Sequence, residues 1–93
     1  MTLYHIDRAA RDAYRELLDT KLSELMLYAK ELCPAAVVEA KPSSYEDEDG
    51  HVDIFPPPSL PEEEVERVEL AVAARAGDIF EETGLLILCA AFD

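Results

Sequence analysis

The apolar run Leu85-Leu-Ile-Leu-Cys-Ala-Ala-Phe92 constrains the fold more than any other feature of the chain. Its eight residues fall far short of the ~20 that a membrane-spanning helix needs. It follows Thr83-Gly84, a helix stop in which glycine can take left-handed backbone, so it reads as a strand. Side chains alternate across a strand. Leu85, Ile87, Cys89 and Ala91 therefore point one way, and Leu86, Leu88, Ala90 and Phe92 the other. A strand apolar on both rows calls for cover on both faces. Two helices on one face of a small sheet would cover a single row. The expected cover for the second row is another copy of the chain, through sheet-to-sheet packing or pairing of edge strands. That homodimer would draw on Leu85, Leu86, Ile87, Leu88 and Phe92. One helix on each face is the monomeric alternative.

Upstream, the periodicity predicts a long helix from about Asp7 to Leu32. Leu3, Ala10, Tyr14, Leu17, Leu18, Leu22, Leu25, Tyr28, Ala29 and Leu32 form one stripe at 100° per residue. Asp7 can cap it, and Asp7–Arg11, Arg8–Asp12 and Arg15–Asp19 are spaced as i,i+4 ion pairs. Cys33-Pro34 ends it, since a residue before proline is pushed out of the α region. Ala36–Lys41 and His51–Phe55 read as strands. A tight turn at Asp49-Gly50 between them would set Glu46 against Asp53, like against like. A long irregular hairpin therefore has equal standing. Pro56-Pro57-Pro58 ends the second strand. Ser59-Leu60-Pro61-Glu62 has the form of a capping box, ahead of a helix whose Val65, Val68, Val72, Ala76 and Ile79 share a face. The reading is one domain over residues 1–93, an α+β fold of order αββαβ: a three-stranded, mostly antiparallel sheet with two helices. Its strand–strand–helix–strand part resembles part of a ferredoxin-like split βαβ in topology alone.

Charge narrows the functional classes. The formal net charge is −13, and all but one unit lies in residues 42–93, where fourteen acidic residues face only Arg67 and Arg75. Such a surface repels nucleic acid and anionic lipid and attracts a basic protein face, so neither nucleic acid nor membrane is an expected partner. Glu46, Asp47, Glu48, Asp49, Glu62, Glu63 and Glu66 are the candidate partner-binding residues. The two cysteines show no metal-type spacing, too few for a small secreted scaffold, and no apolar leader opens the chain; a cytoplasmic setting is expected.

Chemistry has one candidate. Asp47, Asp49, His51 and Asp53 alternate, so in an extended strand four metal-type ligands would share a face. The turn at Asp49-Gly50 interrupts that geometry. An EF-hand alignment fails, since it puts Tyr45 and Pro56 where carboxylates are needed. Val52-Asp53-Ile54 has the form of a metal-carrying nucleotidyltransferase strand, but Pro42-Ser43-Ser44 lacks the Gly-Ser motif that would hold phosphate. No catalytic nucleophile and no cofactor motif stands out. Pro58-Ser59-Leu60-Pro61 fits P-x-x-P, though a strand stop followed by a helix start explains it equally. Lys21, inside the first helix's apolar stripe, either extends its charge to the rim or pairs with a carboxylate of the second helix or of a partner subunit. The reading carried forward is a non-catalytic interaction module; the alternative is a small metal-binding or metal-dependent enzyme domain. If the 46–53 hairpin is a solvated loop, replacing Asp47 and Asp49 with Asn should leave stability unchanged or slightly higher.

Overall fold

Both long helices lie on the same side of the sheet. The computed structural model describes residues 8–43 and 47–92, with side-chain environments given from Ala10 onward. Its elements are α1 (Arg8–Leu32), β1 (Val37–Pro42), β2 (Gly50–Phe55), α2 (Glu62–Thr83) and β3 (Ile87–Ala91), an α+β fold in the expected order. The readings placed on Leu3, Asp7 and Glu46 lie outside the described residues.

The sheet has the order β1-β2-β3 and is mixed. β1 and β2 are antiparallel, with Val37 opposite Phe55, Glu39 opposite Asp53 and Lys41 opposite His51. β2 and β3 are parallel, with His51 beside Leu88 and Asp53 beside Ala90. The parallel pair follows from α2, which supplies the crossover that a parallel connection requires. β2 and β3 are direct neighbours, so the β2-α2-β3 unit is not split and the ferredoxin-like likeness stops there.

One contiguous core joins the layers. It contains Leu18, Leu22, Leu25 and Ala29 of α1, Val68, Val72, Ala76 and Ile79 of α2, and Val52, Ile54, Leu85 and Ile87 from the sheet side. With both helices on this row, the arrangement of one helix per face is overturned. Leu86, Leu88 and Phe92 are left exposed on the far side.

The buried part of the α1 stripe is shorter than the periodicity suggests. Tyr14, Leu17 and Leu32 are exposed. A helix of 25 residues is about 37 Å long, whereas strands of five or six residues reach about 20 Å, so α1 overhangs the sheet. Among the described residues Arg15 and Asp19 form no ion pair; on this solvated overhang such a pair adds little. α1 ends with Lys30 Nζ donating to the Pro34 and Ala36 carbonyls at 3.0 and 2.7 Å.

α2 begins later than the expected capping box. Ser59 falls in a turn closed by Leu60 N–H on the Pro57 carbonyl, and Pro61 takes the N-cap position with no side-chain cap. Glu62, Glu63 and Glu64 instead answer the positive end of the helix dipole. At the other end Gly84 takes φ 81°, and its N–H bonds the Phe80 carbonyl. Among the described residues no helix is long and apolar enough to cross a membrane.

Candidate functional site: an open sheet face and an acidic helix

The hairpin between β1 and β2 is the long form. Pro42 pairs with Gly50, and Ser43 N–H bonds the Asp49 carbonyl at 2.9 Å across the loop. Gly50 sits where a Cβ would come within 3.0 Å of the Lys41 carbonyl and 3.1 Å of a Leu22 methyl, so its backbone fits closely under α1.

Asp49 is a structural tie. Its carboxylate accepts the Tyr14 hydroxyl at 2.5 Å and the Leu86 N–H at 2.7 Å. Its own N–H bonds the Leu86 carbonyl at 2.7 Å. One residue therefore fastens the hairpin to the α1 overhang and to the approach to β3. The reason it looked like a free loop acid is sequence distance: its partners lie 35 and 37 positions away. The Asp49 bond is also the leading reason that the Tyr14 phenol titrates above its ordinary range, ahead of burial.

The other hairpin acids disperse. Glu48 accepts the Ser43 hydroxyl at 3.0 Å and lies 3.7 Å from His51 Nδ1; Asp53 lies 3.7 Å from His51 Nε2. Asp47 is exposed and Asp49 is committed to Tyr14 and Leu86. Of the proposed ligands Asp47, Asp49, His51 and Asp53, only His51 and Asp53 are brought together. Among the described residues no three His, Cys, Asp or Glu side chains are grouped as a metal would require.

Two surfaces remain. The first is the uncovered sheet face. Val37, Glu39 and Lys41 of β1, His51, Asp53 and Phe55 of β2, and Leu88, Ala90 and Phe92 at β3 lie on it. Phe55 and Phe92 stack with centroids 5.4 Å apart, beside Val37. Leu85 and Ile87 are 4 % and 3 % exposed, so they belong to the core and not to an interface; this corrects their place among the expected dimer contacts. Sequence alternation separates the two rows but cannot say which row the helices take.

The second surface is the outer side of α2. Among the described residues Glu62, Glu63 and Glu66 are exposed there without a basic partner, and Glu64 alone of this group pairs, with Arg67 at 2.9 Å. Leu70, at 62 % exposure, adjoins them. Glu69 turns back to the sheet, its carboxylate accepting the Ala91 N–H at 2.8 Å.

Between the helices, Lys21 pairs with Glu24 at 3.2 Å, and Glu24 also holds Arg75 of α2 at 3.3 Å. Arg75 lies 4.3 Å above the Tyr28 ring. The Lys21 charge is thus answered within α1, and Glu24 carries the link to α2. The sequence offered no signal for Arg75, because its partners Glu24 and Tyr28 sit on the other helix.

Cys89, on the helix side of β3, has its thiol pushed up to about 11, first by burial and then by the Asp53 and Glu69 carboxylates. At pH 8 its thiolate fraction is on the order of 10⁻³, against roughly a quarter for an ordinary thiol. Alkylation of Cys89 by iodoacetamide should be at least about a hundredfold slower in native protein than in unfolded protein, as read by peptide mass spectrometry. The same shift makes folding hold the proton. Stability from this group is complete below the ordinary thiol range and falls as pH rises from about 8.5 to about 11. Cys89→Ala should flatten that part of a Tm-against-pH curve.

Set against protein-family models, curated proteins and solved structures, the chain matches none of them.

Proposed function

We propose that this protein is a non-catalytic interaction module of the cytoplasm, homodimeric, whose acidic surface engages a basic protein partner. The observation that carries the reading is the uncompensated set Glu62, Glu63 and Glu66 on α2, with Leu70 exposed beside it. Three carboxylates without partners among the described residues lose little when they pair across an interface, and a neighbouring leucine supplies apolar area. The metal-dependent alternative gains no support from Asp47, Asp49, His51 and Asp53: only His51 and Asp53 adjoin, while Asp49 is committed to Tyr14 and Leu86 and Asp47 is exposed. A net charge of −13 also argues against nucleic acid as a partner.

The test is titration of a fluorescent Lys/Arg-rich peptide that also carries leucines. Binding should weaken steeply with salt. Neutralising Glu62, Glu63 and Glu66 together to Gln should weaken it about tenfold, the sum of three modest ion pairs. The same charge removed at Asp78, Glu81 and Glu82 should change it less than about twofold. Equal losses from both sets would mean unspecific attraction and would overturn the proposal.

A further inference from the structure

We infer that the open sheet face is the surface on which a second copy of this chain packs, sheet against sheet about a twofold axis. The inference rests on the homodimeric reading above and adds which surface forms the interface.

Charge selects this face. Each copy carries −13, and the outer side of α2 would bring carboxylate against carboxylate. The sheet face instead holds the cation Lys41 opposite His51 and next to Glu39 and Asp53, both signs within one small area. Lys41 lies 3.7 Å from Glu39 in the subunit, and both are more than two-fifths exposed, so either can turn to the opposite sign on a partner copy. Apolar contact is concentrated at the other end, where Val37 at 61 % exposure stands opposite Phe55 and Phe55 stacks on Phe92. A twofold axis parallel to the strands and over β2 sets Phe55 against Phe55 of the second copy and Val37 against its Phe92, and lays the whole face, Leu88 included, against its copy, as an isologous interface requires.

The edges of the sheet are closed by comparison. Phe92 N–H bonds the Ile54 carbonyl, so Ala91 N–H points to the outer edge of β3, and Glu69 occupies it. β1 ends in Pro42, which has no N–H, beside the charged Lys41. Edge pairing, the other route to a dimer, therefore meets an occupied donor on one side and charge with proline on the other.

Size sets the expected strength. Three strands of about six residues offer a face roughly 20 Å by 10–15 Å, below the size of stable specific interfaces and in the range of weak, transient ones. The dimer should be reversible, with dissociation in the micromolar range or weaker. It would bury both sheets at its centre and leave both α2 acidic surfaces outward.

Sedimentation of the full chain from low micromolar to near-millimolar concentration tests this. The mass should rise from 10.4 kDa toward twice that value. Association should tighten with added salt, because screening relieves repulsion between two acidic chains. Binding of the basic peptide moves the opposite way with salt, so failure of one reading is separable from failure of the other. Leu88→Glu should weaken dimerisation at least tenfold with the circular dichroism spectrum retained; Val37→Glu is the second variant should Leu88→Glu disturb the fold. Leu70→Glu, at a still more exposed position on α2, should have no effect. A monomer over the whole range at high salt would overturn the inference. So would a dimer indifferent to both sheet-face variants or dissociated by Leu70→Glu.

Discussion

Ile87→Asp is expected to abolish cooperative folding, while Leu88→Asp, one residue on, leaves a folded subunit. Ile87 is 3 % exposed and joins a core shared with both helices; Leu88 is 50 % exposed on the far row. Removing a buried isoleucine side chain costs about 2–5 kcal/mol, and a carboxylate left in its place adds a desolvation cost of several more. A domain of this size has on the order of 5–15 kcal/mol in total, so the first variant should lose its thermal transition. The second forfeits only part of one half-exposed side chain, under about 1 kcal/mol. Circular dichroism melts of both, in dilute protein, check the pair. A folded Ile87→Asp would mean that the helices cover the opposite row.

Asp49→Ala is expected to give the largest loss of any substitution at an acidic residue. Its carboxylate accepts two hydrogen bonds, from Tyr14 and from the Leu86 backbone, and joins α1, the hairpin and the approach to β3. Bonds to a charged acceptor contribute about 1.5–3 kcal/mol each when well buried; with solvent near both, about 2 kcal/mol for the pair is the reasonable figure. For a domain this small that lowers Tm by roughly 8–16 °C. Asp49→Asn keeps one acceptor oxygen and should lose about half as much. Asp47→Asn, exposed, should be neutral or slightly stabilising, as removal of a crowded charge implies. Asp47 is an exposed loop acid and Asp49 a bonded one, so the two are expected to respond differently to the same substitution. Equal, negligible effects at both positions would remove Asp49 from its structural role. A Tyr14→Phe/Asp49→Ala double-mutant cycle isolates the phenol bond.

Local signals were legible to within a few residues. The α1 stop at Cys33-Pro34, the αL glycine at Gly84 and the order αββαβ all rest on neighbours in sequence. The capping box failed because Pro58-Ser59 was drawn into a turn from Pro57, a competition between two local motifs that both use the same serine. At the candidate site, the acidic character of α2 was legible because charge is a property of composition. The ligand set was not, because alternation in sequence becomes a shared face only where the backbone is extended. Asp47 and Asp49 precede the first residue of β2.

The sequence by itself determined the kinds of element, their order and the division of the last strand into two apolar rows. It did so because periodicity, proline, glycine and charge act within a few residues of themselves. Tertiary structure alone decided that both helices share one face, that β2 and β3 run parallel and adjacent, and that Asp49 is a tie where Asp47 is exposed. Each of these depends on a partner many positions away: Leu86 for Asp49, Glu24 for Arg75, the α1 and α2 stripes for Ile87. Which of two equally apolar rows is buried is set by where the helices can reach once α2 crosses between parallel strands. That is a constraint on the whole chain, and no window of the sequence contains it.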